Sequence, residues 1–234
     1  MQEAVGVSDQ GLVRKNNEDR FFSSASAGLC VLADGMGGAQ AGETASAIAV
    51  AAVAEIAASG PPDPVLLETA FQEADRRVRD AAESDTSLRG MGTTLVAAME
   101  TPSGIAVCNI GDSRCWRWED GRLTPLTNDQ SWANEVGRTL GLSDEALSVH
   151  PLRNALTTAV GVGVPRQVQS RVVPIQKGSL ILLSSDGLHG VVKDGAIADV
   201  LSQGGPLLFL CQALIGLALG SGGPDNVTVV LARV

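Results

Sequence analysis

The sequence has no tyrosine, three tryptophans and four phenylalanines in 234 residues, so aromatics make up only 3% of it. A core built from this chain has to be aliphatic and alanine-rich. Histidine is almost as scarce: His150 and His189 are the only two, far apart in the chain. With no HxxxH pair and no Cys/His cluster, a zinc site is not expected. The four cysteines, Cys30, Cys108, Cys115 and Cys211, form no CxxC pair and sit in apolar runs. They read as small buried hydrophobes in a reducing compartment. Positive charge is in deficit, with 17 Lys and Arg against 26 Asp and Glu and a net charge of −9. Nucleic acid and anionic membrane both require a basic face, so neither is expected as a partner. The longest apolar run, Leu207 to Leu219, is broken by Gln212 and too short to span a bilayer. The start, MQEAVGVSDQ, lacks the basic and apolar regions of a signal peptide. A cytoplasmic location follows as an expectation.

What is present suffices for one folded domain over residues 1–234: 44% of the residues are hydrophobic. Strands are expected at Val5–Ser8, Arg20–Ser24, Gly28–Ala33, Thr93–Met99, Gly104–Ile110, Arg114–Glu119, Leu123–Pro125, Gln169–Pro174, Ser179–Ser184 and Val227–Arg233. Glu119-Asp120-Gly121 has the composition of a hairpin turn. Helices are expected at Ala41–Ser59, Pro64–Glu83, Lys193–Ser202 and Pro206–Leu219. Strands joined by short turns pair antiparallel, and the order is not the βα alternation of a doubly wound sheet. Antiparallel sheets with helices packed outside are therefore expected, an α+β fold. Residues 130–153 are less regular and read as a flap over a site.

Acids recur where apolar strands end. In VLADGMGG, residues 31–38, an apolar run meets Asp34 and then Gly35, Gly37 and Gly38. Asp186-Gly187 follows Leu180-Ile181-Leu182-Leu183 in the same design. Asp112 follows the run ending at Ile110-Gly111, Asp225 precedes Val227–Leu231, and Glu18-Asp19 lies near Arg14. A carboxylate leaving water without a partner costs several kcal/mol or protonates. Converging acids also repel one another. Hard divalent cations relieve both costs, and an all-oxygen ligand set suits Mg²⁺ or Mn²⁺. Glycine after the acid is expected to let a backbone carbonyl or a substrate phosphate come close.

These pieces resemble, in order and through nearly the whole chain, the motifs of metal-dependent serine/threonine protein phosphatases of the type 2C (PPM) family, especially small bacterial members. The matching stretches are Gly11–Asp19, Leu32–Gly38, Gly92–Leu95, Gly111–Arg114, Leu126–Ser131, Asn154–Gly161, Ser185–Leu188 and Asp225–Thr228. The resemblance implies a four-layer α-β-β-α sandwich with a site for two Mn²⁺ or Mg²⁺ ions at one end, and a third, weaker ion. It implies that Asp34 bridges the two ions, that the Gly35 carbonyl binds one, and that Asp186 and Asp225 complete the other. Asp19 and Glu18 stand beside the ions, Glu18 through water. Asp112 would share the third ion with Asp186, and Asn226 would support the site. Arg14 would bind the substrate phosphate. The implied reaction is one-step attack on the phosphorus of phosphoserine or phosphothreonine by hydroxide held between the ions, with no phospho-enzyme.

The chain departs from the family in places. Some members carry His after the Asp-Gly pair where this chain has Met36, so metal-held water becomes the expected proton donor to the leaving group. Gln130 replaces a commoner His. His150 and His189 fall on no catalytic position of the family and read as structural, and Asp129 as a loop-orienting residue. Trp132, in the flap, is an expected substrate contact. Phosphorylated Ser/Thr proteins are the expected substrates, a bacterial-type Ser/Thr kinase the expected counterpart, and a monomer the expected state. The alternatives are hydrolysis of another phosphoester, a catalytically weak member that binds phosphoproteins, and a calcium-binding structural protein. The last lacks the acidic twelve-residue loop and leaves Arg14 without a role.

Overall fold

Short runs of Val, Ile, Leu and Ala pair into two antiparallel sheets in this computed structural model, which describes residues 1–37, 41–164 and 168–234. Gly38 lies outside the described residues. The first sheet has the spatial order β1 (Glu3–Asp9), β11 (Val227–Arg233), β10 (Leu180–Ser184), β7 (Arg114–Glu119) and β8 (Arg122–Pro125). The second runs β2 (Asp19–Ser24), β3 (Leu29–Met36), β5 (Leu95–Thr101), β6 (Gly104–Ile110) and β9 (Arg171–Val173), with β4 (Gly92–Thr93) paired to the end of β3. β7 and β8 join through Asp120 at φ 50° and Gly121 at φ 75°, the left-handed pair that the hairpin turn at Asp-Gly calls for.

The inner faces of the sheets meet in an aliphatic layer that includes Leu32, Val96, Ile105, Ile181, Leu183 and Val230. The outer face of the second sheet carries α1 (Ala41–Ala57) and α2 (Pro64–Ser84). α1 packs closely because its buried side is small: Ala45, Ala49, Ala52 and Val53 have no exposed surface. Asp63 caps α2 by accepting the Val65 N–H at 2.8 Å, with Pro64 at the first helical position. The outer face of the first sheet is covered by α4 (Asp186–His189), α5 (Asp194–Ser202) and α6 (Leu207–Gly220). This is the four-layer α-β-β-α sandwich implied by the family resemblance. Among the described residues no helix is long and apolar enough to cross a membrane.

Three expectations need correction. β3 does not stop at Asp34: it continues to Met36, because Gly35 and Met36 pair with Thr93 and Gly92 of β4. The expected strand Thr93–Met99 is in turn broken at Thr94 into β4 and β5. Asp186 does not merely end a strand but starts α4, which closes with Gly190 N–H donating to the Asp186 carbonyl at 2.7 Å. The irregular segment after β8 contains a single π turn, Ala133–Gly137, and the short helix α3, Asp144–Ser148. That segment closes on itself, with the Trp132 ring stacked on His150 at 4.0 Å between centroids.

Candidate active site

Strand register brings the acids to one end of the sandwich. Asp19 opens β2 and pairs directly with Asp34 near the end of β3. In the other sheet, the end of β10 leads into Asp186, and Asp225 precedes the adjacent start of β11. Asp112 sits in the connection between β6 and β7. The result is a pocket of about 460 Å³ lined by Arg14, Glu18, Asp34, Gly35, Met36, Asp112, Asp186, Asp225 and Asn226. Asp19 is 1% exposed and lies behind Asp34.

A polar frame holds these loops. The Asn226 side-chain amide donates to the carbonyls of Gln10 (2.9 Å) and Asn16 (2.8 Å), and its oxygen accepts the Glu18 N–H at 2.9 Å. One buried side chain thus joins β11 to the Arg14 loop and the Glu18 turn. Ser185 Oγ donates to Asp19 Oδ2 at 2.8 Å and accepts the Thr228 N–H at 2.9 Å. Thr94 Oγ1 accepts the Asp34 N–H at 3.0 Å and shares a hydrogen with Ser113 Oγ at 2.7 Å, which ties β3 to the Asp112 loop. Arg14 Nη2 donates to Asp225 Oδ2 at 2.6 Å, and the Arg14 side chain is 57% exposed.

Packing gives the glycines that follow the acids a further reason. A Cβ on Gly35 would lie 2.2 Å from the Gly42 carbonyl oxygen of α1, and a Cβ on Gly187 would lie 1.9 Å from that of Asn226. Close backbone packing around the pocket requires both glycines, whatever else their carbonyls do.

The acids are held under electrostatic stress. Enclosure by protein, then the neighbouring charges of Asp19, Asp186, Asp112 and Asp225, push Asp34 well above the usual carboxylate range. Enclosure pushes Asp19 up to about 6 against the hydrogen bonds from Thr228 and Ser185. Asp112 rises to about 7 through enclosure and the charges of Asp186 and Asp129. Asp186 is raised by enclosure and by Asp225, Glu18 by enclosure. The Arg14 guanidinium is raised by its bond to Asp225. Two carboxylate oxygens, Asp19 Oδ1 and Asp186 Oδ1, are buried without a hydrogen-bond partner. Buried acceptors of this kind are almost always satisfied in folded proteins. A divalent cation coordinated by oxygen would satisfy them and neutralise the repulsion, so the donor set fits Mn²⁺ or Mg²⁺. Among the described residues no group of three or more His, Cys, Asp or Glu side chains stands close enough together to hold a metal ion without rearrangement. Mutually repelling acids around open space agree with that, and Mg²⁺-type ions retain waters rather than demand an all-protein cage.

Trp132 is not among the residues that line this pocket; its ring stacks on His150 inside its own segment. Asp129 does orient a loop, holding Arg114 through a two-pronged contact at 2.8 and 2.6 Å. Neither histidine lines the pocket. Sequence reasoning singled out no role for Ser185, Thr94 or Ser113 in holding the acids, nor for Lys15, Asn154 and Leu156 on the pocket wall. The Ser185 and Thr94 positions fell within recognised motifs, and their hydroxyls beside an acid and a glycine were the available signal.

Comparison with known proteins agrees with this geometry. The family model for protein phosphatase 2C matches residues 13–206. The serine/threonine phosphatase stp of Listeria welshimeri is 35% identical over 234 residues, covering 96% of this chain and 93% of its own length. The crystal structure of the Mycobacterium tuberculosis serine/threonine phosphatase PstP/Ppp superposes with TM-score 0.89 at 36% identity, over 99% of this chain and 98% of that one. A structure of the PstP catalytic domain in complex with two manganese ions superposes with TM-score 0.86 at 35% identity, over 99% of this chain and 97% of that one. With the family model matching residues 13–206 and relatives 35–36% identical over almost the whole chain, this protein belongs to the protein phosphatase 2C family.

Proposed function

We infer that this chain is a metal-dependent protein serine/threonine phosphatase whose acid pocket takes two Mn²⁺ or Mg²⁺ ions. The observation that carries the reading is the pair of orphaned carboxylate oxygens, Asp19 Oδ1 and Asp186 Oδ1, within a set of acids that raise one another's pKa beside an exposed arginine. Asp34, enclosed among the charges of Asp19, Asp186, Asp112 and Asp225, would be the ligand shared between the ions. The Gly35 carbonyl, Asp186 and Asp225 would complete the ligand set, with Asp19 and Glu18 beside them and Asn226 as their support. Asp112 with Asp186 would hold a third, weaker ion. When bound, the ions supply Lewis acidity that lowers the pKa of water toward neutrality and offsets phosphoryl charge.

The chain's own residues do the rest. Arg14 spends one donor on Asp225 and retains four N–H donors for phosphate oxygens, a planar fork suited to that anion. Its contact with Asp225 fixes the guanidinium at the pocket rim, where charge on the equatorial oxygens is stabilised. Met36 brings no proton to the pocket, and both imidazoles are engaged elsewhere, so water in the pocket protonates the departing Ser or Thr oxygen. A substrate that is a phosphoprotein implies a Ser/Thr kinase as the enzyme that makes it. We propose that the chain acts as a monomer, and four unpaired cysteines support a cytoplasmic, reducing location.

The test is phosphate release from a phosphothreonine peptide with Mn²⁺ titrated into chelated protein, for wild type and Asp186→Asn. Activity that requires metal and collapses in the variant is the expected result. A folded wild type that releases nothing with Mn²⁺ would move the phosphoprotein-binding reading to first place.

A further inference from the structure

We propose that Asn154 is a substrate-binding residue: its carboxamide pairs with the main chain of a phosphoprotein beside the phosphorylated Ser or Thr, and so favours protein substrates over small phosphoesters. The inference rests on the phosphatase reading of the acid pocket.

Asn154 lies just past the flap, where the chain returns beside residues 130–133, and the backbone around it is fastened. The Trp132 N–H donates to the Ala155 carbonyl at 2.8 Å and the Ala133 N–H to the Arg153 carbonyl at 3.3 Å. The Thr157 N–H donates to the Gln130 carbonyl at 3.0 Å, and Ser131 and Leu156 form an antiparallel bridge. The Thr157 hydroxyl adds a bond to Glu135 Oε2 at 2.6 Å. Asn154 and Leu156 are thereby held on the wall of the acid pocket.

A second cavity adjoins the first. It measures about 280 Å³, and Asn154 lines it together with Ser131, Asn134 and Ser148. Among the described residues Asn154 alone lines both cavities. A polypeptide with its phosphate in the acid pocket and the next residue in this cavity has to cross Asn154.

The side chain at that crossing is unspent. Asn226 uses its amide on the carbonyls of Gln10 and Asn16 and on the Glu18 N–H. Asn154 is exposed, and no group among the described residues takes up its carboxamide. A carboxamide both donates and accepts, as a peptide group does, whereas phosphate oxygens only accept. Arg14 and the bound cations would recognise the phosphate of any phosphoester. Asn154 adds a contact that only a substrate with a neighbouring peptide group can fill.

The experiment measures kcat/KM with saturating Mn²⁺ in wild type and Asn154→Ala. The substrates are p-nitrophenyl phosphate, a phosphothreonine peptide, and two shortened forms of it, one lacking every residue before the phosphothreonine and one lacking every residue after it. The ratio of kcat/KM for the full peptide to that for p-nitrophenyl phosphate should fall about three- to tenfold in Asn154→Ala, the size of one neutral hydrogen bond. One of the two shortened peptides should show no such fall, because it lacks the residue that crosses Asn154. An unchanged ratio for the full peptide overturns the proposal, as does a fall that persists in both shortened peptides or vanishes from both. If wild type releases phosphate from none of the peptides, the protein-phosphatase reading falls and the role of Asn154 with it. If wild type cleaves them and Asn154→Ala keeps the ratio, only the role of Asn154 falls.

Discussion

At Gly187 the chain has no room for a side chain, because the Asn226 carbonyl oxygen would lie 1.9 Å from a Cβ there. Relief requires moving backbone on either side of the pocket, between the loops that carry Asp186 and Asp225. Gly187→Ala should therefore cost about 1–3 kcal/mol as an overpacked core position does. A cost of that size lowers the melting temperature by roughly 2–12 °C in a domain of this length. A melt of the metal-free protein checks the size, and an unchanged melting temperature would mean that the two loops yield freely. The acids themselves were legible in the sequence because they interrupt apolar runs, which is costly without a partner. The packing reason for the glycines beside them was not, since it depends on Gly42 and Asn226, which approach from distant parts of the chain. Ser185 and Thr94 were legible only as motif letters; their bonds to Asp19 and Asp34 exist once two sheets are stacked.

Among the elements, the long ones follow from pattern: α1, α2, α6 and β11 lie where apolar spacing and turn residues predict them. The misread ones are those decided by pairing. β3 runs past Asp34 because β4 is there to satisfy its backbone, and two-residue β4 leaves no periodicity to read. In the flap, Trp132 is half-buried against His150, and a contact between residues 18 apart in an irregular segment has no sequence signature. The stack, worth about 0.5–1.5 kcal/mol beyond buried area, should hold the segment rather than the substrate. Trp132→Ala is thus expected to raise amide exchange across residues 132–150 while leaving kcat/KM for p-nitrophenyl phosphate unchanged. A large loss of kcat/KM with unaltered exchange would place the ring at the substrate after all.

For the whole molecule, the acids gathered at one end of the sandwich tie stability to pH. Asp19 is raised to about 6 and Asp112 to about 7 by the folded protein. The folded state therefore binds protons more tightly than the unfolded chain, whose aspartates titrate near 3.9. The stability these groups contribute is fully present below about pH 4 and is lost as pH rises through 6 to 7. Metal-free protein should melt at progressively lower temperature across that window. Mn²⁺, which binds the deprotonated acids, should give a stabilisation that grows over the same window. A metal-free melting temperature that rose through it would contradict the shared burial of these carboxylates. The central claim, that Asp34 is shared between two cations, is tested most directly by anomalous diffraction at the manganese edge from crystals equilibrated with Mn²⁺. Two peaks about 3.5–4 Å apart, both within coordination distance of the Asp34 carboxylate, are the predicted result. A pocket without peaks, or a single peak away from Asp34, would contradict it.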